Sequence, residues 1–270
     1  MASDKLLQMN EQTDHPLNGS VSPAMHPRML DDLGPVLVDQ EHSGTSIDGY
    51  AAGRSALKAL YSSADAIQKA REAVSRPLPI IGAIYAKGSA PILRMQVLPE
   101  KAGELSNAMA ASAARAAANV ERNSDVVDRS IAKLNSFIAA KTSNSKANET
   151  AIAHEAQQIR QYVSNLKEPS RQSTFLKAAV DDGDHAVVTA VLGASPFASG
   201  LSREQHQILR SFAEQKFAGP ELRQRDALVD VAKKIQTAMS GYALHYSKML
   251  PKVVTDPSAA SLAALKEGGA

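Results

Sequence analysis

A chain of 270 residues with a net charge of +2 and 44% hydrophobic residues is long enough to bury a real core, as one large domain or two small ones. It has no cysteine, which excludes disulfides, thiolate metal sites and cysteine nucleophiles. The first 30 residues carry Pro16, Pro23 and Pro27 without an apolar core, and the most apolar window, 77–93, is interrupted by Pro79, Gly82, Lys87, Gly88 and Pro91. Neither a secretory signal nor a membrane span is expected, so the reading is a soluble protein without membrane contact. Aromatic residues are 4%, tryptophan is absent and alanines number 46, so the core is built largely from methyl groups. Such contacts bring helices close but each removes little area from water, at about 25 cal/mol per Å².

Charge is unevenly spread: residues 1–50 sum to −6 and residues 51–170 to +6. Residues 1–47 carry four prolines and no periodicity and are read as a disordered acidic arm; its apolar knot, Pro35-Val-Leu-Val38, is able to add an edge strand or dock on a partner, with incidental contact the favoured reading. A helix follows from about Asp48 to Pro77, capped by Asp48 or Ser46, with Leu57, Leu60, Tyr61, Ala64, Ile67 and Val74 on one face. Two apolar runs, 80–86 and 92–98, joined by Lys87-Gly-Ser89, predict a β-hairpin. A long helix then runs from about Pro99 to Lys141.

That helix and the next carry the strongest pattern in the chain. Val120, Val127, Ile131, Leu134 and Ile138 follow spacings of seven, four, three and four, and Ile152, Ala156, Ile159, Val163 and Leu166 spacings of four and three in alternation. Alternating steps of three and four draw a coiled-coil stripe along a helix. Leu134 and Ile152 are 18 residues apart, not a multiple of seven, so the polar stretch 142–148 is read as a turn that makes an antiparallel helical hairpin. Pro169 marks a boundary, and residues 169–251 form a second helical group. Gly183 and Gly193 punctuate it, and Ser202 with Gln205 makes a capping box. Gly219-Pro220 opens a last helix with Leu222, Leu228, Val231, Ile235, Met239, Tyr242 and Tyr246 inward. Residues 252–270 are read as a flexible tail. The expected class is mainly α: a coiled-coil-like helical hairpin, a second small helical group and one short β-hairpin.

Chemical motifs are sparse. Asp181-Asp-Gly-Asp-His185 concentrates carboxylates and an imidazole, but no glutamate stands at the twelfth position of a calcium loop, and a turn with a cap explains the string. Ser55/Lys58, Ser130/Lys133 and Ser143/Lys146 share a spacing that can pair serine with lysine, without the partner motifs of that chemistry. His154-Glu155 lacks a second zinc ligand, and His245 reads as a partly buried helix residue. No catalytic, cofactor or metal residue is assigned. Arg115, Arg122 and Arg129 recur every seven residues, a spacing used for ion pairs between helices and also able to meet phosphates.

Residues 179–201, and within them Ala190-Val-Leu-Gly-Ala-Ser-Pro-Phe-Ala-Ser-Gly-Leu201, resemble segments of uncharacterised helical structural or assembly proteins of bacteriophages and prophages. The resemblance implies a virion or assembly role and transfers no functional residue. The expected function is therefore non-enzymatic: a structural or interaction protein associating with its own copies or other structural proteins. The expected surface is the stripe of Val120, Val127, Ile131, Leu134, Ile138, Ile152, Ile159, Val163 and Leu166. The alternative is a nucleic-acid-associated protein using the basic middle segment. An intramolecular bundle would bury the same stripe, and spacing does not separate the two cases.

Overall fold

A computed structural model describes residues 21–38, 43–78, 94–97, 99–142 and 149–250. The protein is mainly α-helical. Helices α1 (Gly34–Leu37), α2 (Ser43–Val74), α3 (Pro99–Thr142), α4 (Glu149–Asn165), α5 (Pro169–Asp181), α6 (His185–Leu192), α7 (Arg203–Phe217) and α8 (Gly219–Met249) follow in order, with 3-10 turns at Pro23–Met25, Pro27–Leu33 and Pro196–Ser199. Short strands β1 (Ser75–Leu78) and β2 (Arg94–Val97) pair antiparallel, Ser75 opposite Val97 and Leu78 opposite Arg94. The expected hairpin's first strand and turn, residues 80–89, lie outside the described residues, as do the turn at 143–148 and the expected tail at 252–270.

Residues 21–38 correct the reading of a disordered arm. Val21, Met25, Leu30, Leu37 and Val38 are buried. Pro23 and Pro35 stand at the first positions of helical turns, where a missing N–H costs nothing because that donor has no helical partner anyway. The Pro35–Val38 knot is therefore helical and not an edge strand. Ser46 does not cap α2: the helix starts earlier, and its Oγ donates to the Leu37 carbonyl at 2.7 Å.

The chain divides into two compact units, and the division does not fall at Pro169. One unit gathers Leu30–Gly53 and Ser124–Lys233; the other gathers residues 21–29, Arg54–Asn123 and the chain from Lys234. In the first, α6 packs against α4, α5 and α7. Val163 of α4 shares a core with Leu176, Val180, Val188, Val191 and Leu209, so residues on both sides of Pro169 build one apolar cluster. The turns are fixed by local chemistry. Gly183 takes a φ of 75°, and the Asp184 carboxylate caps α6 by accepting from the Ala186 and Val187 amides at 3.1 Å. Ser202 and Gln205 form the expected capping box of α7. Buried Gln172 donates to the Val163 carbonyl at 3.1 Å, which ties α5 to the end of α4.

In the same unit Gly49 and Gly53 lie one turn apart on α2. A Cβ at Gly49 would stand 2.8 Å from Leu228 Cδ2 and 3.1 Å from Ser130 Cβ; one at Gly53 would stand 2.4 Å from Val231 Cγ1. The helices meet at these two glycines because neither carries a side chain. Glu221, fully buried in the first turn of α8, pairs with Lys141 of α3 at 2.5 Å. Leu228, Val231 and Ile235 face inward as expected, whereas Met239 is 46% exposed and its neighbour Ala238 takes the buried place.

In the second unit Ile67, Leu105 and Met109 form a core with Val74, Tyr242 and Tyr246 packed around it. Leu57, Leu60, Tyr61 and Ala64 are buried on the expected face of α2. Arg71 Nη1 donates to the Lys248 carbonyl at 2.8 Å near the end of α8.

Candidate functional site

The stripe expected to be an association surface is mostly inside the folded chain. Val120, Val127, Leu134 and Ile138 of α3 are buried, and so is Val163 of α4; Ile131, Ile159 and Leu166 are half-buried. The side chain of Ile152 lies outside the described residues. Val163 and Ile159 belong to the α5–α7 core. The stripe therefore serves intramolecular packing: a 3-4 spacing reports that a helix face is covered, not by whom.

Several of the sequence's chemical candidates are accounted for locally, while Ser143 and Lys146 lie outside the described residues. The Asp184 carboxylate is engaged as a cap, and the His185 ring stacks on Phe217 with centroids 4.2 Å apart. Ser130 is buried, whereas Lys133 is exposed with its ammonium 5.9 Å from the Phe137 ring, so serine and lysine are not presented together. Arg115, Arg122 and Arg129 are exposed; Arg115 and Arg129 each donate from Nε to a carbonyl of their own helix, at 3.2 and 3.0 Å. Among the described residues these three arginines make no ion pair between helices.

His245 is half-buried, as expected. Burial holds its pKa below the usual 6.5; a hydrogen bond to the Ala64 backbone opposes this, and the charges of Lys248 and Arg71 add to it. A histidine kept neutral in the fold binds fewer protons than in the unfolded chain once the pH drops below 6.5, so stability declines with acidification. We expect the melting temperature to fall as pH is lowered from 7 towards 5, and His245→Gln to flatten that slope in a calorimetric series.

Among the described residues, sequence reading passed over a partly exposed apolar face beside the core, on which Phe212 packs against the core cluster and Ile208 projects outward. On α7, Leu209 and Ala213 turn into the core, and His206 is buried with them. Ile208 and Phe212, one turn apart, fall about 100° away from that face. Ile208 is 69% exposed and Phe212 half-buried. Between them and α5 lies an apolar cavity of about 290 Å³ floored by Leu176, Leu201 and Leu209 and edged by Lys177 and Gln205. The Lys177 ammonium stands 6.0 Å from the Phe212 ring centroid. A shallow depression on the other side of the same two residues is edged by Glu204, Ser211 and Gln215. Four residues before Leu201, Phe197 projects with 89% of its surface exposed. The signal was in the sequence: Ile208 and Phe212 are apolar at i and i+4 but out of phase with Leu209 and Ala213, the residues that continue the core.

This arrangement offers apolar knobs, an unfilled apolar groove and one charge of each sign on its two edges. It holds no nucleophile paired with a base. No helix among the described residues is long and apolar enough to cross a membrane. Compared with known proteins, the chain matches no family model, no curated protein and no solved structure.

Proposed function

We propose that this is a non-enzymatic structural or assembly protein whose copies associate through the α5–α7 face. The observation that carries the proposal is the Ile208–Phe212 row beside an open groove floored by leucines. Exposed apolar rows of this kind mark interaction surfaces, and burying one isoleucine or phenylalanine contributes about 1.5–3 kcal/mol. A second copy suits the face for two reasons. Knobs and groove occur together, as a twofold contact requires of a surface that must match itself. The edges carry opposite charges, Lys177 on one side and Glu204 on the other. A twofold axis running along α7 exchanges the two sides, so Lys177 of one copy meets the Glu204 edge of the next. With a net charge of only +2, copies do not repel one another strongly.

The resemblance of residues 179–201 to phage and prophage proteins supports reading that assembly as part of a virion. Charge exchange tests the proposal. Lys177→Glu is expected to weaken self-association in light scattering, as is Glu204→Lys, and the double exchange is expected to restore it. A double variant no better than the single ones contradicts the pairing.

A further inference from the structure

The second unit contains a polar pocket of different chemistry, independent of the α5–α7 face. It lies between α2 and α3, has a volume of about 260 Å³, and is lined by Ala59, Ser62 and Ser63 from α2 and by Ser112, Arg115 and Asn119 from α3. The small residues at these positions leave the space open. No carboxylate lines it.

Its hydrogen-bonding groups are arranged to donate. Ser63 Oγ lies 2.8 Å from Tyr242 Oη and 2.8 Å from Ser112 Oγ. Tyr242, Ser63 and Ser112 thus form a chain of three hydroxyls that reaches the pocket, and each carries one proton to donate. The chain can be polarised from Tyr242 through Ser63 to Ser112, and in that polarity the Ser112 hydroxyl donates to an acceptor bound in the pocket. Arg115 lines the pocket and donates from Nε to the Ala111 carbonyl at 3.2 Å, so a guanidinium with two further donor groups, its Nη atoms, stands at the pocket's exposed edge. Asn119 Oδ1 accepts from Asn123 Nδ2 at 2.8 Å, so the oxygen of that amide is engaged and its NH2 remains. A guanidinium, an amide NH2 and a relayed hydroxyl, with no acid among them, form a donor set for an oxyanion.

We propose that this pocket binds the phosphoryl oxygens of a phosphate group, with Arg115 as the charged anchor and Ser112 and Asn119 as neutral donors. Phosphate suits the set better than a carboxylate because its tetrahedral oxygens can meet three donors that come from different directions. The group could be carried by a free phosphate, a phosphomonoester or a nucleic-acid backbone, and all three present the same oxygens.

Nuclear magnetic resonance titration of the full chain with inorganic phosphate, at ionic strength matched by chloride, reads the site directly. Saturable shifts are expected at the amides of Ser63, Ser112, Arg115 and Asn119. Arg115→Gln, an exposed position whose fold is checked by circular dichroism, is expected to weaken binding about tenfold or more, and Ser112→Ala to weaken it less. Arg122→Gln, on the same helix outside the pocket, is expected to leave it unchanged. A mononucleotide and a single-stranded oligonucleotide are titrated in parallel: a phosphomonoester that binds more tightly than phosphate identifies a small ligand, and an oligonucleotide that binds more tightly than either identifies a backbone phosphate, each only if Arg115→Gln removes the gain. Absence of saturation, or equal loss in Arg115→Gln and Arg122→Gln, overturns the proposal.

Discussion

Leu134→Asp is expected to leave no cooperatively folded protein. Leu134 is fully buried within the single chain, so the substitution places a carboxylate where neither water nor a partner reaches it. Such a charge costs several kcal/mol on top of the lost packing, against a total stability of about 5–15 kcal/mol for a typical domain. Leu134→Ala removes packing alone and is expected to cost about 2–5 kcal/mol, with the spread set by how far the cavity collapses. Guanidinium denaturation followed by circular dichroism measures both. The pair also separates core from interface. Were the stripe a contact between subunits, Leu134→Asp would give a folded monomer with an ordinary unfolding transition.

Gly53→Val is the second large effect. Its new Cβ would sit 2.4 Å from Val231 Cγ1 and 3.1 Å from Leu30 Cδ1, before the two methyls are placed. Neither neighbour has room to retreat, since Leu30 and Val231 are themselves fully buried. Overpacking of this kind costs about 1–3 kcal/mol for a small excess of volume and more when backbones must separate. The helix propensity gained on replacing glycine, about 0.5–1 kcal/mol, is too small to offset it. Gly241→Ala in α8 is the matched control: nothing lies within 4 Å of its added methyl, so the same propensity term is expected to raise stability. Thermal unfolding of the two variants should shift in opposite directions. A Gly53→Val variant as stable as the parent contradicts the close approach of α2 to Val231.

The local signals in the sequence translated well where chemistry is short-range. Ser202 with Gln205, Gly183 with Asp184, and the unbroken run from Pro99 to Thr142 each specify a helix end or a helix body from a few adjacent residues. Two features were written in the sequence in a form that local reading misjudges. The prolines of residues 23–35 read as breakers, yet they open short helical turns whose Met25, Leu30 and Leu37 are fully buried. Gly49-x-x-x-Gly53 reads as two weak points in a helix, yet its value is close approach to Leu228 and Val231, some 180 residues away. The stripe of α3 and α4 was legible as covered, but its covering partner was not, because periodicity carries no information about what lies opposite. The α5–α7 face was missed for the complementary reason. The i and i+4 spacing of Ile208 and Phe212, out of phase with Leu209 and Ala213, was legible, but only the placement of α5 and the leucines beneath them turns the pair into the edge of a groove.

Sedimentation velocity of the full chain and of Ile208→Asp at micromolar concentration tests the central claim most directly. Ile208 is 69% exposed, so the substitution leaves the folded chain intact and acts only where a second copy would cover it. The parent protein is expected to sediment as an oligomer, and Ile208→Asp as a monomer with an unchanged circular dichroism spectrum. A parent that stays monomeric, or an Ile208→Asp variant that assembles as well as the parent, would contradict association through the α5–α7 face.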